Sequence, residues 1–469
     1  MPLRAARRSC NPASVTNLLP TSWTERVRFD LAHVWHPFTQ MKEHEQHPPV
    51  PVIRGEGCDL VLADERRVLD GISSWWTCVH GHAHPKLMDA LKRQASVLDH
   101  VMFAGFTHEP ALELVARLLP RLPSNLTRCF FSDNGSTSVE VALKMTFQAQ
   151  FLRGERARDK IGALHGAYHG DTLGAVGVGE LGNFLSGIFQ PLLLRCERVA
   201  VPDDPRREVL GGGADLALDE ARSAIDTYFA EHGPSLAAFI AEPLLQGAGG
   251  MRMWPAELLA DLRRACDRHG VFLIFDEVLT GFGRTGSFLA CVGAGVTPDV
   301  LCLSKGLTGG VLPLAVTCAS DALFDLFWGA PEEPRAFLHG HSYTANPLAC
   351  AVAAANLALF DEEPVMDQAS ELGARLRAAW QRLAAHPLVR RARCIGAVAA
   401  CDLVDAKTGA PRPFPHRDGL ALHRAALDRG LLVRPIGNCL YLLPPLSTPG
   451  DRIDEAVETL TACLDLSLS

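Results

Sequence analysis

Two short apolar runs each end in a residue able to do chemistry. "VFLIF" is followed by Asp276, and "VLCLS" by Lys305. A carboxylate at a strand end is costly to bury without a cation or hydrogen-bond donors beside it. A lysine amine becomes a nucleophile once it loses its proton, which desolvation or a nearby cation promotes. In open parallel sheets ligands collect beyond the carboxyl ends of the strands. Taken alone, the pair reads equally well as a buried Asp–Lys salt bridge.

A third stretch, "FFSDNGSTSVEVALKM" (130–145), runs strand, polar turn, helix. Asn134, Gly135, Ser136 and Thr137 would offer N–H groups and hydroxyls at a helix N-terminus, a seat for an anion. The plainer reading is an ordinary N-cap from Ser136 or Thr137. An anion seat, a strand-end acid and a strand-end lysine together match the needs of pyridoxal 5'-phosphate (PLP). That cofactor takes a lysine amine on its aldehyde, an acid on its ring nitrogen and a cradle for its phosphate.

These residues need a sheet to hold them. "LAAFIAEP", "VFLIFDE" and "DVLCLSKG" are short apolar runs of the kind buried in parallel sheets, and "ALELVARLLPRL" and "SVEVALKMTFQAQFL" have helical spacing. Their alternation predicts an α/β fold with a mostly parallel central sheet. "GCDLVLADERRVLDG" predicts a small sheet near the start, "REVLGGGADL" a loop, and "NPLACAVAAANLALF" a long helix. The strands "GAVAACDLV" and "NCLYLLPPL" close the chain. We expect residues 1–24 as a disordered extension and 73–362 as a large domain. Residues 25–72 and 363–469 would form a smaller α+β domain from both chain ends.

Gly281-Phe282-Gly283-Arg284-Thr285-Gly286 spells G-x-G-x-x-G. A dinucleotide fingerprint needs a crossover helix next, and "SFLACVGAGVTP" is broken by glycines and a proline. A second match at 177–182 shows how cheap the pattern is among 40 glycines. No carboxylate or thiol set accompanies His80, His82 and His84, which read as a turn beside the tryptophans, and we expect no metal there. Glu140 and Lys144 read as an ordinary i,i+4 helix pair.

With 469 residues the chain suits two or three domains, and a net charge of −8 argues against a nucleic-acid partner. Fourteen cysteines without C-x-x-C pairs read as reduced thiols, so we expect a cytoplasmic protein. No uncharged apolar run reaches the ~18 residues of a membrane helix.

"IFDEVLTGFGRTG" and "LSKGLTGG" resemble the strongest signatures of the fold-type I, class III aminotransferases, and the likeness spans nearly the whole chain. The stretches "HVWHPFTQM", "DGISSWWTCVHGHAHP", "HVMFAGFTHEPA", "HGAYHGDTLGA", "EPLLQGAGGMRM" and "NPLACA" are similar to the biotin-pathway branch of that family. Phe38 stands where that branch usually has Tyr. The resemblance implies a PLP-dependent, ping-pong transaminase that works as a homodimer with shared active sites. Lys305 would hold the cofactor as a Schiff base and then shuttle a proton, and Asp276 would bond the ring nitrogen. Gly135 and Ser136 would seat the phosphate, with Ser342 reaching it from the other subunit. Tyr168 and Val278 would flank the ring, Val278 by sharing a strand face with Asp276. Trp75, Trp76, Asp171, Arg284, Gly340 and Arg434 would line the substrate side, Arg434 binding the keto acid carboxylate. The amino donor would be adenosylmethionine or lysine. A broader ω-amino acid transaminase and a PLP aminomutase are the alternative activities.

Overall fold

The computed structural model describes residues 19–180, 188–201, 216–410 and 418–466. A seven-stranded sheet lies at its centre. In chain order the strands are β1 (Leu126–Ser132), β2 (Lys160–Leu164), β3 (Cys196–Val199), β4 (Leu236–Ala241), β5 (Phe272–Asp276), β6 (Val300–Leu303) and β7 (Ala315–Ser320). Their spatial order is β1-β7-β6-β5-β4-β2-β3, and only β7 runs antiparallel to its neighbours. Every residue of β4, β5, β6 and β7 is buried. Sheets covered on both faces need such unbroken apolar strands.

Side chains alternate between the two faces, as strand geometry demands. Ile240, Ile274, Val300 and Cys302 pack with Val139, Ala142 and Met145 of helix α1 (Gly135–Leu152). Phe239, Leu273, Phe275 and Leu301 face the larger core on the other side. Asp276 shares parity with Ile274, so the end of β5 faces the α1 layer.

A second region joins the chain's two ends. The hairpin strands Val52–Glu56, Asp59–Leu62 and Arg67–Asp70 are completed by Leu431–Leu432, which pairs parallel to Arg67–Asp70. Asp59 accepts from both Arg67 and Arg452, at 3.1 and 2.9 Å. An antiparallel sheet of Val389–Ile395, Val398–Leu403 and Cys439–Leu442 stands beside it. Helix α2 (Val365–Leu383) covers that sheet. Its Trp380 is fully buried and donates from Nε1 to Ala400 O at 2.7 Å.

The expected extension 1–24 falls mostly outside the described residues. Its end is ordered: Ser22 caps a helix, Trp23–His33. The expected 207–216 loop also lies outside them, save Leu216, which opens a helix. The G-x-G-x-x-G stretch is a docking turn. Phe282 N donates to Phe288 O, Ala397 N donates to Arg284 O, and only a one-turn helix follows, Ala290–Gly293. No described helix is long and apolar enough to cross a membrane. The thirteen described cysteines are all free thiols.

Trp380→Ala should destabilise the α2 region by about 3–5 kcal/mol, through a lost ring and an orphaned carbonyl. A urea titration followed by circular dichroism should show an earlier first transition; an unchanged midpoint would contradict this packing.

Candidate active site

Asp276 and Lys305 end neighbouring parallel strands, with Asp276 paired to Cys302 across the register. They do not form the salt bridge that their types allow. His169 Nδ1 donates to Asp276 Oδ2 at 2.8 Å, and Val278 N donates to Oδ1 at 3.1 Å. His169 is buried, and its Nε2 has no hydrogen-bond partner. Lys305 as a residue keeps some exposed surface, but its amine is enclosed, with Nζ 4.5 Å from the Trp76 ring centroid. Among the described residues no acid lies within ion-pair distance of it. Burial lowers its pKa to about 8; the more distant Asp276 and Glu242 pull the other way.

The backbone of Lys305 is itself in the left-handed region, φ 44°. That conformation is strained for a residue with a Cβ. The turn it opens, Lys305–Thr308, is held from behind by Asn356. Asn356 is fully buried and donates to Gly306 O and Leu307 O at 3.0 and 3.1 Å; its Oδ1 meets His80 Nε2 at 2.9 Å. His80, His82 and His84 therefore serve different partners: His82 bonds Asp70, and His84 faces Glu363 at 3.6 Å.

Helix α1 starts with a capping box: the Asn134 side chain accepts from Thr137 N, and Thr137 Oγ1 accepts from Asn134 N, so Ser136 takes no part in the cap. Ser136 is thereby free for other work. Among the described residues the N–H groups of Gly135 and Ser136 have no protein acceptor, as expected at a helix start. A Cβ on Gly135 would stand 2.6 Å from Val278 Cγ1, so only glycine fits there. Val278 does not share a strand face with Asp276, because β5 stops at Asp276 and Val278 sits in the following turn. The turn, pinned by the Val278 N bond, delivers it to Gly135 instead. Its neighbour Glu277 is fully buried and accepts from Ala290 N and Cys291 N, capping the short helix that follows.

Tyr168 donates from its hydroxyl to Asp171 at 2.9 Å and from its N–H to Glu242 at 3.1 Å. Its pKa is raised, first by burial. Glu242 is also buried; burial, with the Asp276 charge adding, lifts its pKa to about 7.

Trp75 and Trp76 belong to a run of four non-glycine residues with positive φ: Ser73 50°, Ser74 45°, Trp75 75°, Trp76 76°. Such a left-handed turn costs roughly 1–2 kcal/mol per residue. Bonds on every side hold it. Ser73 Oγ donates to Leu443 O, Ser74 Oγ to Asp70 Oδ2, and Trp76 Nε1 to Tyr441 OH. His82 backs Asp70, and that bond raises the His82 pKa to about 10. Trp76 is buried; Trp75 is 40% exposed. Around Trp75 gather Phe38, at 5.4 Å between ring centroids, and the Arg434 guanidinium, 5.1 Å from its ring. Arg434 also donates to Phe38 O at 3.5 Å.

The expected substrate contact of Arg284 is corrected by its placement. Arg284 is 2% exposed and donates to Pro444 O, Ser73 Oγ and Cys78 O. Its two terminal nitrogens tie Ser73 of the tryptophan turn to Cys78 O and Pro444 O, its buried Nε has no partner, and burial lowers its pKa to about 10. Glu140 is not paired with Lys144 either; it accepts from Thr172, Gly174 and Ala175, while Lys144 meets His339 at 2.9 Å. Gly340 and Ser342 lie in an exposed stretch after Leu338. Reasoning from residue types missed His169, Glu242 and Tyr441. The first two stand inside the quoted stretches "HGAYHGDTLGA" and "EPLLQGAGGMRM", but nothing in spacing ties them to Asp276.

Comparison with known proteins agrees with this geometry. The pattern of the family described as aminotransferase class-III matches residues 40–464. The adenosylmethionine-8-amino-7-oxononanoate aminotransferase of Synechococcus elongatus is 46% identical over 92% of this chain and 98% of its own. The crystal structure of the enzyme of that name from Methanocaldococcus jannaschii superposes with TM-score 0.87 at 32% identity, covering 94% of this chain and 98% of the other. An amine transaminase from an uncultivated Pseudomonas species, solved in a PLP-bound form, gives 0.86 at 33% identity, over 92% and 98%. The sheet, the strand-end lysine and the span of these matches lead to one conclusion: the chain belongs to the class-III aminotransferases.

Proposed function

We propose that this chain is a PLP-dependent transaminase converting 8-amino-7-oxononanoate to 7,8-diaminononanoate in biotin synthesis, with S-adenosyl-L-methionine as donor. The observation that carries the reading is Lys305, an enclosed amine with no acid in pairing distance, beside an acid already engaged by a histidine. The residues fit PLP. Two unclaimed N–H groups at a helix start suit a phosphate. Asp276 keeps lone pairs for a ring N–H beyond its bonds to His169 and Val278. When bound, PLP supplies an aldehyde that condenses with amines and a ring that takes up the electron pair left at the substrate carbon.

The chain's own groups do the rest. Asp276, oriented by His169, would hold the ring nitrogen of the bound cofactor. Tyr168, fixed through Asp171 and Glu242, and Val278, fixed by the turn, would stand beside its ring. Lys305, about half neutral near pH 8, would serve as the base and acid that moves the substrate proton. Trp76 closes over Lys305 and keeps water from it. The Arg434 fork receives the keto acid carboxylate against Trp75. Arg284 acts at second hand, by fixing the tryptophan turn.

We further propose a homodimer with shared sites. Leu338 and Tyr343 are 87% and 65% exposed, and they flank Gly340 and Ser342. A second copy covering this stretch would bring Ser342 to its phosphate seat. Residues 73–362 would form the large, cofactor-carrying domain, and 25–72 with 363–469 the smaller one.

The purified protein, given 8-amino-7-oxononanoate and S-adenosyl-L-methionine, should form the diamine by mass spectrometry. Diamine with lysine alone would change the donor. Turnover of pyruvate with simple amines, without diamine, would replace this reading with an ω-amino acid transaminase. Capture of PLP by the apoenzyme needs the neutral amine, so its rate should rise with pH through about 8 and then level. A rate still climbing toward the ordinary lysine value of ~10.4 would contradict the enclosed amine. Asp276→Asn removes a charge that raises the Lys305 pKa, so the inflection should move to lower pH. Arg434→Ala should raise KM for the keto acid by ~10–100-fold with little change in the donor half-reaction.

A further inference from the structure

We propose that Glu140 is a positioning residue that sets the phosphate seat through Thr172 and Ser136, an assignment that rests on the PLP reading above. Glu140 lies one turn into α1, behind Ser136. Its Oε1 gathers three donors from the start of the short helix Leu173–Val178: Thr172 Oγ1 at 2.5 Å, Gly174 N at 2.7 Å and Ala175 N at 3.2 Å. The loop that leads into this helix bears Tyr168 and Asp171. Thr172 in turn reaches Ser136 twice. Its N–H donates to Ser136 Oγ at 3.0 Å, and the two hydroxyl oxygens stand 2.8 Å apart.

The proton count gives the chain a direction. A carboxylate only accepts, so the single Thr172 hydroxyl proton is spent on Glu140. The contact between the hydroxyls is then donated by Ser136. Ser136 Oγ is held in place by Thr172 N–H, and its one proton, resting on Thr172 Oγ1, can turn to an incoming phosphate oxygen while Thr172 stays bonded to Glu140. Glu140 thus fixes where Ser136 Oγ sits and where its proton rests before a phosphate arrives.

Two close approaches show how tightly the loop is laid on α1. A Cβ on Gly170 would stand 2.3 Å from Ser136 Oγ, and one on Gly174 would stand 2.2 Å from Glu140 Oε2. Gly170 also has φ 124°, which a side chain rarely tolerates. The loop is therefore seated on Ser136 and Glu140 by design of its glycines. The Glu140 charge is met by donors at that helix start, not directed at the seat.

The test compares two probes on the apoenzyme: PLP, and pyridoxal, which has the same aldehyde and ring without the phosphate. Binding is read from absorbance for wild type, Glu140→Ala, Glu140→Gln and Thr172→Val. Glu140→Ala should weaken PLP by ~10–100-fold, the loss typical of a charge-assisted bond, and leave pyridoxal nearly unchanged. Glu140→Gln, which keeps an acceptor, should recover most of the loss. Equal weakening of both probes in a folded Glu140→Ala protein would overturn the inference, leaving only a structural role. If Glu140→Ala does not fold, Thr172→Val decides: a selective loss for PLP supports the relay, and an unchanged PLP-to-pyridoxal ratio rejects it. Wild-type apoenzyme that shows no preference for PLP over pyridoxal would overturn the cofactor reading itself.

Discussion

An ammonium group enclosed by protein without an acid to pair with is an expensive thing to keep. Lys305 is such a group, and much of the surrounding structure can be read as the means of keeping it. The nearest strand-end acid is diverted to His169 and to the Val278 amide. The face of Trp76 takes the place of a counter-ion, since an aromatic face attracts a cation without neutralising it. The result is a lysine whose proton is held loosely, just past the end of a fully buried strand.

Keeping Trp76 there has its own cost. The turn from Ser73 to Trp76 is left-handed at four successive side-chain-bearing residues. It survives because Asp70, Leu443, Tyr441 and Arg284 hold it from different directions. These partners come from both ends of the chain and from the middle of it. Strain of this kind persists only where the surroundings over-determine the backbone. The Lys305 turn repeats the arrangement on a smaller scale, with Asn356 behind it.

The three inner strands β4, β5 and β6 were legible from the sequence because they are short, wholly apolar and bounded by polar or glycine positions, and Asp276 and Lys305 stand at two of the boundaries; outer strands such as β3, with Glu197 and Arg198, carry no such pattern. The helix start at Gly135 was legible for the same reason, though not that Asn134 does the capping and frees Ser136. What could not be read were bonds between residues far apart in the chain. His169 and Asp276 are 107 positions apart, and neither type predicts the other. Arg284 carried the signature of a substrate arginine, but burial turned it inward to carbonyl oxygens. The left-handed turn left no local sign either, since Ser-Ser-Trp-Trp has no glycine to announce positive φ. Glu140 looked like half of a helix pair because i,i+4 spacing is visible in sequence, whereas a loop folded back over the helix is not.

The strand Leu431–Leu432 lies against Arg67–Asp70, and Arg452 reaches back to Asp59. On a ribosome these partners emerge some 360 residues apart, ~20–70 s at ordinary elongation rates. Through that interval the first hairpin waits with an unpaired edge, and the tryptophan turn waits without Tyr441 and Leu443. The central sheet can assemble while the rest is still being made; the lid over the lysine cannot. Nascent chains cut short before residue 431 should therefore leave the ribosome with a folded scaffold and an unfinished catalytic wall.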